Sequence, residues 1–251
     1  MLIHGAELVV HPDSPALFQG LARPRDVIGR WGPPAPGPGA RSAVRELRLP
    51  EGHFYIKVYA YTGLWRLRTL FIVSRARREY FNLLRMAGLG FRVPQPVACG
   101  QERTLGFVSV SFVMTRAVED AVNLRTLIDA PASAPWPLPS PAERRRLVEE
   151  FARTLRRAHD GGFFIHTPKG KNLLLAREGG EYRLYVIDVP FAGIWRWRIF
   201  RGSGRVRDLA VLMRAARQLL SRTERMRFAR AYGAGAELLR KAQAYQERHY
   251  P

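Results

Sequence analysis

The chain has 251 residues, 47% of them hydrophobic and 25% charged. That is enough apolar side chain for a packed core and excludes global disorder. Lysine and arginine total 41 against 21 aspartates and glutamates, a formal charge of +20, which favours an anionic partner such as a nucleotide, nucleic acid, acidic lipid or phosphorylated glycan. A single cysteine, Cys99, excludes an intrachain disulfide framework and a paired-cysteine zinc site.

The opening MLIHGAELVV lacks the basic start and long apolar stretch of a signal peptide. No uncharged apolar run reaches the roughly 18 residues of a membrane span. The expectation is a soluble, cytoplasmic protein that can rest on the cytoplasmic face of a membrane. Residues 1–40 show little periodicity, and Trp31–Ala40 is a Pro/Gly-rich loop. Two strands, Ala43–Leu49 and His53–Tyr61, are expected around a Pro50-Glu51-Gly52 turn. A helix over Ser74–Ala87 follows, with Ser74 as N-cap and Ala76, Tyr80, Leu83, Leu84 and Ala87 at helical spacing. Gly106–Met114 reads as a strand, Asn123–Ile128 as a short helix and Asp129–Pro141 as a linker. Ser140, Pro141 and Glu143 form a capping box with proline at the first helical position. The helix they start carries Leu147, Val148, Phe151, Leu155 and Ala158 and stops at Gly161-Gly162. NLLLA and YRLYVID make a hairpin, and the chain is helical from about Arg207. This order gives an α+β protein of two lobes: residues 1–118, β-rich with one key helix, and residues 119–251, mostly helical.

Four residues along this order suit phosphoryl transfer. Lys57 lies in the apolar strand FYIKVY, and Glu79 is the only acid in SRARREYFNLLR. Asn172 begins the apolar run NLLL, and Asp188 ends YVID. A lysine neutralises phosphate charge, a glutamate fixes that lysine, and Asn and Asp oxygens hold the hard cations that bridge phosphates. A hairpin between Asn172 and Asp188 brings its two ends together. The chain has only four lysines, Lys57, Lys169, Lys171 and Lys241, and a lysine is a point charge where arginine is a planar fork. The bland readings stand beside these. Lys57 alone is a surface lysine, Glu79 a solvated helix acid, Asn172 a loop cap and Asp188 a turn cap before Pro190.

The run of motifs resembles the protein-kinase-like superfamily, and more closely the bacterial lipopolysaccharide kinases that phosphorylate Kdo or heptose sugars of the inner core. The resemblance rests on YIKVY, SRARREYFNLLRMAGLGFRVPQPVACG, LRRAHDGGFFIHTPKGKNLLL, YVID and RVRDLAVLMRAAR, which together span most of residues 43–217. Within it, Gly90–Pro96 has the family's G-x-x-V-P-x-P connector after the glutamate helix. It implies a two-lobed protein-kinase-like fold with ATP and Mg²⁺ as cofactors. Lys57 would bind nucleotide phosphates, Glu79 would pair with Lys57, and Asn172 and Asp188 would bind Mg²⁺. The acceptor would be lipopolysaccharide core or another anionic glycolipid.

The catalytic loop departs from the family pattern. Thr167 stands where the family has its aspartate and Ile165 where it has histidine, with His166 between them. Threonine accepts no proton at neutral pH, whereas histidine, with an ordinary pKa of about 6.5, can. Lys169 and Lys171 lie in the same loop and are candidates to stabilise the transferred group or hold an anionic acceptor. The glycines of Gly29–Gly39 are interrupted by four prolines, which remove N–H groups a phosphate cradle needs. Asp208 resembles the residue that supports the family's catalytic loop and reads as structural or as a helix N-cap, and His159 ends its helix and packs there. The basic, aromatic stretches 63–71 and 194–207 read either as solvated faces or as patches for an anionic membrane surface. The alternative to a sugar kinase is a pseudokinase that binds nucleotide or serves as a scaffold in envelope biogenesis. A nucleic-acid partner rests on charge alone.

Overall fold

A computed structural model describes residues 4–34, 40–61, 64–166, 168–195 and 198–250. The chain divides into two compact units, Met1–Leu84 with Pro94–Ala117, and Arg85–Val93 with Val118–Pro251. Thr167 lies outside the described residues, as does much of the Pro/Gly-rich loop and part of each basic, aromatic stretch.

The first unit contains β1 (His4–Val10), α1 (Pro24–Trp31), β2 (Ser42–Leu49), β3 (Gly52–Tyr59), α2 (Leu64–Arg68), most of α3 (Arg75–Gly88), β4 (Pro96–Thr104) and β5 (Phe107–Arg116). The strands form one antiparallel sheet in the order β1-β4-β5-β3-β2. Side chains alternate across a strand, and both faces of this sheet are covered. Phe54, Ile56, Ala98, Phe112 and Met114 pack on one face with Leu17, Phe18, Val27 and Trp31. Tyr59, Cys99 and Val113 pack on the other with Ala76 and Tyr80 of α3. Residues 1–40, which show no periodicity in the sequence, thus supply an edge strand and the cover of one face. Val9 pairs with Cys99 across β1 and β4. Pro24 opens α1, and the Arg23 N–H donates to the Asp26 carboxylate at 2.9 Å. Burial pushes the Cys99 thiol up to about 12, so it stays protonated.

The second unit contains β6 (Ala121–Asn123), α4 (Leu124–Asp129), α5 (Pro141–Asp160), β7 (Phe163–Phe164), β8 (Leu173–Glu178), β9 (Glu181–Val186), β10 (Gly193–Ile194), α6 (Arg198–Leu219), α7 (Arg222–Tyr232) and α8 (Ala236–His249). The capping box at α5 is present, with the Glu143 N–H on Ser140 Oγ and the Ser140 N–H on the Glu143 carboxylate. The β8–β9 hairpin turns on Gly179 and Gly180, both at positive φ, the backbone a tight two-residue turn requires.

Two expectations change. The Asp129–Pro141 stretch is a packed strap, not a linker. Trp136 is buried edge-on against Tyr182 with ring centroids 5.4 Å apart, and its indole N–H donates to the Asp120 carbonyl at 3.2 Å. One large aromatic with a satisfied donor outweighs the local Pro/Ala composition. Helix α6 begins at Arg198 rather than near Arg207, so Asp208 is interior to it and is no N-cap. Of the two glycines that disguise this start, Gly204 has a packing reason, since a Cβ there would lie 2.7 Å from the Phe164 ring, whereas Gly202 faces open space. No described helix is long and apolar enough to cross a membrane.

Candidate active site

Strand period and helix period together bring one pair of the candidate residues together in the first unit. In β3, Phe54 and Ile56 point to the α1 face, so Lys57 and Tyr59 are nearer the α3 face. On α3, Glu79 lies one residue from Tyr80 and three from Ala76, both buried there. Lys57 Nζ stands 3.4 Å from Glu79 Oε2, with side chains 16% and 6% exposed. The Tyr59 hydroxyl also donates to Glu79 Oε2, and Lys57 Nζ lies 5.0 Å from the Tyr59 ring centre. Tyr59 was missed by reasoning on charge, although it is two positions from Lys57 and therefore on the same side of the strand. The end of α3 is fixed independently. Ser74 Oγ accepts from the Arg77 N–H at 3.3 Å, and the Tyr61 hydroxyl, 3.0 Å from Ser111 Oγ, accepts from the Arg75 N–H at 3.0 Å. A lysine held by a nearly buried carboxylate keeps one place in space, which is what a phosphate-binding cation needs.

The Gly29–Gly39 stretch offers little to a phosphate. Gly29 sits inside α1, and residues 35–39 lie outside the described residues.

The other candidate pair, in the second unit, is built on the β8–β9 hairpin. Leu173 pairs with Val186, and just outside that pair the Ile187 N–H donates to the Asn172 carbonyl at 2.9 Å. Asn172 is buried in a 3-10 turn (Gly170–Asn172), and Asp188, two residues beyond the hairpin, takes a left-handed backbone with φ of 56°. The hairpin therefore brings the backbone of Asn172 against that of Ile187, one residue before Asp188. Among the described residues no three His, Cys, Asp or Glu side chains gather to hold a metal. Two oxygen-bearing side chains suit Mg²⁺, which keeps waters and shares its remaining positions with phosphate oxygens.

The loop before Asn172 is held from below. Asp208, fully buried, accepts from the Ile165 N–H and the His166 N–H, each at 2.7 Å. It also lies 3.1 Å from His159 Nε2, and His159 Nδ1 lies 2.7 Å from the Tyr232 hydroxyl. The Asp208 carboxylate accepts, so Nε2–H donates to it, and in that neutral tautomer Nδ1 accepts from the Tyr232 hydroxyl, whose phenol burial pushes up to about 12. Nothing local in the sequence marks Tyr232, which is 73 residues from His159.

His166 has φ of 64° and a buried ring, 5.0 Å from the Trp195 ring centre. Its Nδ1 is buried with no hydrogen-bond partner among the described residues. Burial holds its imidazole below the ordinary histidine range, against the opposing pull of Asp208, so it is neutral near pH 7. Lys169 and Lys171 are exposed, and Lys169 Nζ lies 5.9 Å from the Tyr250 ring centre.

A model of the lipopolysaccharide kinase (Kdo/WaaP) family matches residues 53–232, a span that contains Lys57, Glu79, Asn172 and Asp188. No curated protein matches the sequence. Among solved structures, one described as WaaP in complex with acyl carrier protein is similar at 21% identity and TM-score 0.69, over 98% of this chain and 100% of that one. The kinase domain of Mycobacterium tuberculosis PknI, as a double mutant, is similar at 16% identity and TM-score 0.46, over 83% of this chain and 90% of that one. The first of these likenesses shows the protein-kinase-like fold.

Proposed function

The chain belongs to the lipopolysaccharide kinase (Kdo/WaaP) family, and from that premise we propose that it transfers the γ-phosphoryl group of Mg-ATP to a Kdo or heptose hydroxyl of the lipopolysaccharide inner core. The observation that carries this reading is the Lys57–Glu79 pair at 3.4 Å. Lys57 neutralises phosphate charge, and Glu79, itself held by Tyr59, keeps the ammonium in place. Asn172 and Asp188 are the residues that would hold Mg²⁺, which supplies charge neutralisation between phosphates. Lys169 and Lys171 put two cations on the catalytic loop for the transferred group or for acceptor phosphates.

Loose phosphoryl-transfer transition states depend on positioning and electrostatics more than on a base. A threonine at position 167 is compatible with that chemistry at reduced rate. We assign His166 to holding the loop and not to proton transfer, because its ring is buried against Trp195. That same burial, with Thr167 beside it, favours the second reading, a pseudokinase that binds nucleotide without transfer.

Thermal unfolding with and without Mg-ATP separates these readings from a chain that binds no nucleotide. Ligand at 100 times its Kd adds about 2.7 kcal/mol, or about 5–10 °C for a chain of this size. The rise should require Mg²⁺ and should vanish in Asp188→Ala. A wild type that does not respond at millimolar Mg-ATP excludes both kinase and nucleotide-binding pseudokinase. Stabilisation without phosphate transfer to core sugars selects the pseudokinase.

An acyl carrier protein is a further proposed partner, on an observation of this chain's own. The second unit contains an apolar cavity of about 900 Å³ lined by residues that include Leu147, Phe151, Leu212, Met213, Leu239 and Arg240. Its size and lining suit an acyl chain, and a formal charge of +20 suits an acidic carrier. Leu212→Trp should block acyl-carrier binding by at least about tenfold in titration calorimetry while Mg-ATP binding persists, since an indole fills space the chain would take. Equal binding of acylated and unacylated carrier would remove the cavity from the account.

A further inference from the structure

Part of the first unit's surface serves neither its core nor the ion pair. Leu67 is 51% exposed, Phe71 87%, Ile72 44% and Val73 44%. Single exposed apolar residues are ordinary, but a cluster of large ones marks an interaction surface. The backbone under this cluster is firmly held. The Arg103 guanidinium donates to the carbonyls of Thr69 at 2.7 Å, Gly106 at 2.7 Å and Ile72 at 3.1 Å. Thr69 Oγ1 donates to the Arg66 carbonyl at 2.6 Å and accepts from the Val108 N–H at 3.0 Å. Four of these hydrogen bonds hold in shape a segment that turns Phe71, Ile72 and Val73 outward, and the bond to Gly106 fixes Arg103 itself.

The chain around the cluster is strongly basic. From Val58 to Arg78 the sequence holds five arginines, Arg66, Arg68, Arg75, Arg77 and Arg78, and no acid. Arg66 and Arg68 are exposed on either side of Leu67. Glu7 lines the groove beside Leu70–Val73. Its carboxylate is 3.1 Å from the Arg77 guanidinium and accepts from Gln101 Nε2 at 3.0 Å, so it does not reverse the local sign. Cations interleaved with large apolar side chains match a surface that is anionic on top and hydrocarbon beneath.

We propose that Leu67–Val73 is a membrane-contact surface, with Leu67, Phe71, Ile72 and Val73 entering the acyl region of an anionic phospholipid bilayer and Arg66 and Arg68 lying at headgroup phosphates. The inference deepens the kinase reading and rests on it for the purpose of the contact, which is to bring the enzyme to a lipid-anchored acceptor. The surface binds lipid independently of nucleotide.

Flotation of the full chain with vesicles of phosphatidylcholine alone and of phosphatidylcholine with phosphatidylglycerol tests this. Binding is expected to the anionic vesicles only and to weaken with salt. Phe71→Ser should lower the partition constant by about tenfold or more, the worth of one large apolar side chain. Arg66→Glu should lower it by at least about fivefold. A fluorophore on Phe71→Cys, specific because Cys99 is buried, should shift to the blue on anionic vesicles. Wild type that floats with neither vesicle overturns the proposal, as does binding that Phe71→Ser leaves unchanged. A wild-type dimer that Phe71→Ser converts to monomer, with no vesicle binding, gives the surface to a second copy of the chain instead. Both variants should retain the Mg-ATP stabilisation, so loss of the kinase reading and loss of this one are read on separate assays.

Discussion

Asp208→Ala is expected to destabilise the chain by about 4 kcal/mol and to abolish phosphate transfer. The carboxylate is fully buried and takes three donors: the N–H groups of Ile165 and His166 and the His159 imidazole. Each bond to a charged acceptor contributes about 1.5–3 kcal/mol, and each buried donor left without a partner costs about 1–3 kcal/mol. Relaxation and entry of water recover part of the sum, as in other buried networks, where removal of one partner costs about 3–5 kcal/mol. At roughly 2–4 °C per kcal/mol, the melting temperature should drop by about 8–16 °C. Activity is hit separately. His166 has a left-handed backbone, which costs a non-glycine residue about 1–2 kcal/mol, and the two Asp208 bonds hold it there. Without them the loop leading to Asn172 loses its register. Tyr232→Phe probes the same chain from its far end, because it removes only the donor to His159 Nδ1, and should cost about 1–3 kcal/mol. Differential scanning calorimetry checks both. An Asp208→Ala protein that melts within 2 °C of wild type, on the same ~2–4 °C scale, shows that the carboxylate does not organise the loop.

The parts of this molecule legible in the sequence are those governed by neighbours in the chain. The β2–β3 hairpin, the capping box of α5 and the β8–β9 hairpin follow from period, cap and turn residues, and each lies within a short stretch. They also carry the candidate site, since Lys57, Asn172 and Asp188 sit on those elements and Glu79 on the well-marked helix α3. What the sequence does not reveal depends on residues far apart. The strand at His4–Val10 exists because β4 offers it an edge about 90 residues later, at the register Val9 to Cys99. Trp136 turns an apparent linker into a strap only because Tyr182 stands opposite it. Asp208 resembles a supporting residue, yet its role needs the loop at Ile165, the helix end at His159 and Tyr232 to be brought round it. The apolar character of Leu67–Val73 is visible in the sequence, whereas its exposure depends on Arg103 capturing the backbone from another strand.

Lys57→Met should lower kcat/KM for phosphate transfer by about 10²–10³, the usual effect of deleting one preorganised group that faces developing charge. The fold should survive, because methionine keeps most of the side-chain volume and Glu79 keeps its Tyr59 hydrogen bond. Lys57 retains 16% of its side-chain exposure, so the stability loss, discounted for solvent screening, should stay near 1–2 kcal/mol. Glu79→Gln leaves an acceptor for Tyr59 but removes the charge that fixes the ammonium, and a loss of about 10–10² in kcat/KM is expected from misplacement alone. The informative measurement is the double variant. On the proposed reading Glu79 acts on the reaction only through Lys57, so Lys57→Met with Glu79→Gln should be hardly slower than Lys57→Met by itself. Two residues that work as a unit give such non-additive losses, and independent ones multiply. Multiplicative losses in steady-state kinetics with a core-sugar acceptor would mean that Glu79 touches the reaction by another route, and the ion pair would no longer explain why that acid is buried on α3.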